Sequence, residues 1–286
     1  MTAHLQRLAD LSVLAFVVST MLTMGMSQPL ADVIATLTKP SHVALALLVN
    51  FVAAPLFALA LSRLIPLQPA HASGLLLLGA AAGAPFLPKL AAIAGGNVAY
   101  SVALMVLLMG GSIVFMPFAV PLMAPGLSAN AWVIAKPLIV CMVIPLAIGF
   151  LLARSGFSWV QRLTVLTRTV SNAAFVLLIV LMTGLHVTTI VSAVGSLAIG
   201  TYALFLLTLA GVGYMVGAID KRTQAIFALG AASRNIPAAL VIAGVGAADP
   251  AIAAALVVAF VVSLVVLLGL ARAIRPRGRP RETFVT

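Results

Sequence analysis

The chain has 286 residues, 63% of them hydrophobic and only 7% charged, with a mean hydropathy of +1.25. A soluble domain of this composition would have no polar surface to present to water, so a water-soluble enzyme or binding module is excluded. The formal net charge of +11 would suggest nucleic acid in a soluble protein; here it fits cytoplasmic loops that collect Lys and Arg, and no nucleic-acid partner is expected.

In chain order, the apolar runs predict an all-α polytopic membrane protein with about nine passes. They lie at roughly 9–27, 41–64, 71–94, 97–124, 131–153, 162–185, 190–218, 222–246 and 250–272. Turn signals separate them: Thr38-Lys39-Pro40, Pro66 to Pro69, Gly95-Gly96, Pro125-Gly126, Arg154-Ser155-Gly156, Asp220-Lys221-Arg222 and Asp249-Pro250. The first run lacks a basic n-region and an A-x-A cleavage pattern, so it is expected to be retained as a helix. Pro117 and Pro121 should kink the fourth pass. Cys141 is the only cysteine, which excludes disulfides within the chain and thiolate metal sites.

An odd number of passes puts the termini on opposite sides. The basic tail, 273–286, places the C-terminus in the cytoplasm, lying on anionic lipid, and the N-terminus outside. The cytoplasmic side then holds Lys39, Arg154, Arg162, Arg168, Lys221, Arg222 and the tail arginines, against Arg7, Arg63 and Lys136 outside. The chain reads as a single transmembrane domain over 1–286, expected in the inner (cytoplasmic) membrane. Repeat one spans about 9–124, a connecting helix 131–153, and repeat two about 162–272.

Two passes depart from ordinary spanning helices. The third contains Gly79-Ala-Ala-Ala-Gly83-Ala-Pro85-Phe-Leu87-Pro88-Lys89, and the eighth Gly230-Ala-Ala-Ser233-Arg234-Asn235-Ile-Pro237. Proline removes a backbone N–H and clashes with the preceding turn, so both helices should be interrupted. They occupy equivalent places in two repeats of opposite orientation, and such paired interruptions point to a transporter's binding site.

Arg234 lies about twelve residues from either end of its pass, roughly 18 Å by helical rise and too deep for easy snorkelling. Its charge must be offset by carbonyls freed at the break, by water or by an anionic ligand. The plain alternative is a structural arginine that ties off the broken helix through those carbonyls. Lys89 is about seven residues from Gly96, roughly 10 Å, so it either binds an anion or extends to the cytoplasm. Asp10, Asp32, Asp220, Asp249 and Glu282 all fall at helix ends or in tails, leaving no carboxylate at membrane depth. Asn50, Ser101, Ser233 and Asn235 are the neutral polar candidates near the breaks, with interhelical bonding the simpler role for Asn50 and Asn235. Asn97 reads as a turn and N-cap residue. His4, His42, His71 and His186 are dispersed without metal-ligand spacing, and no serine, histidine and carboxylate set marks an enzyme.

The sequence resembles the bile acid:sodium symporter superfamily. The resemblance rests on Met24-Gly-Met26, Lys39-Pro40 and Asn50-Phe-Val-Ala-Ala-Pro55-Leu. It continues with Gly95-Gly-Asn97-Val-Ala-Tyr-Ser101 after the first break and Gly230-Ala-Ala-Ser-Arg-Asn235-Ile-Pro-Ala-Ala-Leu in the second. It implies a core domain built on two crossing discontinuous helices, a separate panel domain, and alternating access by their relative movement. Many members have ten helices, and the nine here correspond to the second through the tenth. It also implies an organic anion as substrate; the arsenite-exporting branch is excluded because its reactive cysteine has no counterpart in the first break.

The family's sodium ligands are mostly replaced. A Ser-Asn pair falls on Leu87 and Pro88, a serine and threonine on Ser101 and Met105, an acidic residue on Gly230, a glutamine on Arg234 and another on Asn50. The expectation is therefore a small-organic-anion transporter without tightly bound sodium, binding substrate through Arg234, Lys89, Asn235 and Ser233, with no metal or other cofactor. The alternatives are ordinary sodium symport through Asn50, Ser101, Asn235 and backbone carbonyls, and a non-transporting receptor or scaffold on the same fold.

Overall fold

A computed structural model describes residues 2–27, 39–124, 131–185, 187–193, 195–220, 223–246 and 250–275. Asp32, Pro125-Gly126, His186, Lys221, Arg222, Asp249, Glu282 and the tail beyond Arg275 fall outside them. The described residues are mostly helical, with no strand among them beyond a single bridge. Seven helices among them are long and apolar enough to cross a membrane. Large apolar side chains stand on the outer surface, among them Leu56, Phe118, Leu122, Val165, Met215 and Val265. In water such a surface would aggregate; in lipid it is the solvated face.

Helix α1 spans Thr2–Ser27 and α2 Pro40–Leu64. The first interrupted pass is two helices, α3 (Pro69–Ala80) and α4 (Leu87–Ile93), followed by α5 (Val98–Met123), which continues through Pro117 and Pro121. Asn97 caps α5, its side chain accepting from the Tyr100 N–H at 3.0 Å. Helix α6 runs through Ala131–Leu138, Ile139–Val143 and Ile144–Ser155, and α7 spans Ser158–Leu185. The run expected as one pass over 190–218 is divided: α8 is Val187–Ala193 and α9 begins at Leu197, spanning Leu197–Val216. Gly195 at φ +90° turns the chain there, and the Ser196 side chain caps α9 at the Ala198 N–H. The second interrupted pass is α10 (Gln224–Ala232) and α11 (Ile236–Gly246), and α12 is Pro250–Ala273.

Prolines shape α2 and α6 in the same way. Each contains one widened π-type turn, Val49–Ala53 and Ile139–Val143, just before Pro55 and Pro145. The wide turn moves the upstream carbonyl away from the proline ring and lets the helix continue. In α2 that turn carries Asn50, which is buried.

The helices pack in two groups. Helix α1 lies along α6 and α7. The α1–α6 contact is backbone to backbone: a Cβ placed on Gly25 would sit 2.8 Å from Gly149 Cα. The α1–α7 seam is joined by hydroxyls, Thr20 to Ser171 at 2.6 Å and Thr23 to Thr167 at 2.8 Å. The second group surrounds the breaks: α2 packs on α3, α9 on α10 and α12, α3 on α12, and α4 on α5, α10 and α12.

Candidate functional site

The two breaks cross each other. Helix α3 ends at Ala80 and the chain turns extended at Ala81; α10 ends at Ala232 and turns extended at Ser233. The strand-like pieces form one antiparallel bridge, Ala82 with Arg234, and the Asn235 N–H donates to the Ala81 carbonyl at 2.9 Å. Backbone groups that no longer have a helical partner thus find each other, as burial in a membrane requires.

The first break is fastened to α5. Ser112 Oγ donates to the Ala82 carbonyl at 2.9 Å and accepts from the Ala82 N–H at 2.9 Å, so one hydroxyl satisfies both backbone groups. Gly83 has φ +80°, and an added Cβ would collide with the backbone of Met109. Only glycine fits a left-handed position pressed against another helix.

Arg234 is buried at 3% exposure and its guanidinium is held by four bonds. Nε donates to the Leu78 carbonyl at 2.8 Å and Nη2 to the Gly79 carbonyl at 2.8 Å. Nη1 donates to Asn50 Oδ1 at 2.8 Å and to the Ala231 carbonyl at 3.3 Å. Leu78 and Gly79 lie in the last turn of α3, and Ala231 in the last turn of α10. Those turns carry unsatisfied carbonyls and the negative ends of two helix dipoles, so the cation sits where two half-helices converge. Asn50 is oriented from below, its Nδ2 donating to the Ala46 carbonyl at 3.0 Å.

Flanking residues complete the second break. Asn235 Oδ1 accepts from the Ala238 N–H at 3.1 Å and caps α11, while its Nδ2 lies 3.7 Å from Met142 Sδ on α6. Ser233 Oγ is buried and, with Ser263 Oγ, lacks a hydrogen-bond partner among the described residues. A narrow crevice beside the start of α11 is bounded by Leu14 and Val17 of α1, Cys141 and Met142 of α6, and Pro237 and Ala238.

Where the resemblance maps sodium ligands, the structure places mostly apolar groups. Leu87 and Met105 are fully buried and Pro88 is buried. A Cβ on Gly230 would meet Leu104 Cδ2 at 2.7 Å and Leu87 Cδ2 at 3.7 Å, so those side chains fill the space beside it. Ser101 Oγ donates to the Val98 carbonyl at 2.6 Å within its own helix.

Lys89 has a different setting. Its Nζ donates to Asn172 Oδ1 on α7 at 2.6 Å and stands 5.3 Å from the Phe175 ring centroid. Among the described residues it shares no hydrogen-bond partner with Arg234. Ser112, Asn172 and Phe175 are not among the residues singled out by the sequence. A serine after Gly110-Gly111, and a lone asparagine inside an apolar helix, were the available signals.

The profile of the Sodium Bile acid symporter family matches residues 14–193. The chain belongs to this family. The match takes in α1 through α8, with the first break and Lys89, and ends before the second break. No curated protein matches the sequence. Family membership and the apolar helices make this a multi-pass membrane transporter of the bile acid symporter family.

Proposed function

We propose that the protein moves a small organic anion by alternating access without a tightly bound sodium ion, the guanidinium of Arg234 serving as a resident cation. The observation that carries this reading is the ligand set of Arg234: three backbone carbonyls from two half-helix C-termini and one side-chain oxygen. Carbonyls of unwound segments and half-helix C-termini are the groups that hold coupling cations in transporters with discontinuous helices. A fixed positive charge among them repels a second cation. Leu87 and Leu104 beside Gly230, and Met105 one turn beyond Ser101, offer sodium no oxygen.

Taking each broken pair as one crossing gives nine passes, with inverted repeats over about 9–124 and 162–272 around the connecting segment 131–153. The N-terminus is then outside and the tail 273–286 in the cytoplasm. Lys39 and Asp220, both cytoplasmic in this topology, are ion-paired at 3.1 Å, which supports it. Within the site, Arg234 sets a positive potential from inside the protein, Ser233 and Asn235 lie next to it, and Lys89 is the more accessible cation for substrate.

The test is uptake of a panel of carboxylates into proteoliposomes with and without a sodium gradient. Flux independent of sodium is expected; strict sodium dependence overturns the proposal in favour of ordinary symport, and ligand binding without flux overturns it in favour of a receptor. A second measurement is the melting temperature of Arg234→Gln against wild type across sodium concentrations. Sodium is expected to stabilise the variant and not the parent.

A further inference from the structure

We propose that Lys89, Asn172 and the rings of Phe86, Phe175 and Phe260 form a binding site for an aryl monocarboxylate, located between the α1–α6–α7 group and the helices around the breaks. The inference deepens the reading of an organic-anion transporter and rests on it.

Three observations converge. The first is an uncompensated charge. Lys89 Nζ is half-buried beside the middle of α7, and its partners are an amide oxygen at 2.6 Å and a ring face at 5.3 Å, both neutral. The described ion pair, Lys39 with Asp220, lies at the end of the helices instead. A lysine ammonium desolvated against neutral groups gains most from an anion placed beside it.

The second is a ready donor. Asn172 is exposed, and its Oδ1 accepts from Lys89 while its Nδ2 donates to no described residue. An amide N–H₂ and an ammonium next to each other present donors to both oxygens of one carboxylate.

The third is the wall beside them. Aromatic residues are 6% of the chain, yet four of its 13 phenylalanines meet here from four separate segments. Phe175 lies 5.0 Å from Phe16, 5.1 Å from Phe86 in a stacked arrangement, and 6.3 Å from Phe260 edge-on. Phe16 is buried and closes the back of the cluster, whereas Phe86, Phe175 and Phe260 are half-buried and keep ring surface available. Rings at these separations accept a further ring in offset or edge geometry. A carboxylate held by Lys89 and Asn172 thereby has its flat apolar body directed at aromatic faces. Because α4 contributes the lysine and α7 the asparagine, such a ligand touches both helix groups at once.

The experiment uses the full chain in lipid nanodiscs and measures binding of benzoate, with acetate, benzamide and cyclohexanecarboxylate as competitors. Benzoate is expected to bind at least about tenfold more tightly than acetate or benzamide, and more tightly than the saturated ring. Lys89→Gln and Asn172→Ala each weaken benzoate, Lys89→Arg largely preserves it, and Phe175→Leu erodes the preference over acetate while leaving the protein monodisperse. Equal affinity for benzoate and acetate, no detectable benzoate binding, or benzoate binding unchanged in Lys89→Gln and Phe175→Leu overturns the site. Sodium-independent flux of a non-aromatic anion that ignores these variants also overturns it, while the proposed transport mode stands. Benzoate flux that requires sodium has the opposite result: the site stands and the coupling proposal fails.

Discussion

Arg234 and Lys89 are both cations inside broken apolar segments, yet their surroundings differ. Arg234 is 3% exposed, with four hydrogen bonds reaching α2, α3 and α10. Lys89 is half-buried, with one hydrogen bond and one ring face, both supplied by α7 of the other helix group. A charge inside an apolar bundle can be saturated by the backbone around it or left with few partners. The deciding quantity is how many acceptors the neighbouring backbone offers. Two helix C-termini converge on Arg234 and saturate it, while Lys89 sits in the first turn of a short helix whose carbonyls point away.

Substitutions at the two sites test this contrast. The largest effect is expected for Arg234→Leu, which leaves the Leu78, Gly79 and Ala231 carbonyls and Asn50 Oδ1 without their donor. Each unpaired buried acceptor costs about 1–3 kcal/mol, so loss of folded protein on size-exclusion chromatography is the expected outcome. A variant that melts like wild type would put Arg234 in the same class as Lys89 and dissolve the comparison.

Gly83→Ala comes next. Backbone strain at positive φ contributes about 1–3 kcal/mol, and displacement of α5 at Met109 adds to it. Thermal unfolding in detergent should report the loss. Ser112→Ala, which strips one hydroxyl from two backbone groups of Ala82, should destabilise by about 1–3 kcal/mol in the same assay. Asn235→Ala removes the cap of α11 and should cost about 1 kcal/mol.

Lys89→Gln should disturb stability least, within about 1 kcal/mol, since it forfeits one cation–ring contact and keeps a side chain able to meet Asn172. Anion uptake by the same variant should nevertheless fall to background. Equal loss of stability in Lys89→Gln and Arg234→Leu would make both residues structural.

Much of this could be read before the structure. The two interruptions were legible because proline and glycine act through local backbone chemistry that needs no neighbours. Asn97 as a cap was legible for the same reason. The division at Gly195-Ser196 was missed because the apolar run continues on both sides and masks a turn of two small residues. Asn50 stood out as polar, but nothing local says that a widened turn before Pro55 aims it at a residue 184 positions away. Ser112 and Asn172 gave only weak local signals and Phe175 none, because the partners of all three come from the segments that pack on them.

The solvent of this protein, its helical class and the places where two helices must stop are properties of the residues themselves. Those follow from side-chain hydrophobicity and from the geometry of single residues. What each freed carbonyl and each buried cation pairs with emerges at the level of the fold. Pairing depends on which helix ends meet in space, and the crossing of α3–α4 with α10–α11 brings two C-termini to Arg234 and leaves Lys89 facing α7.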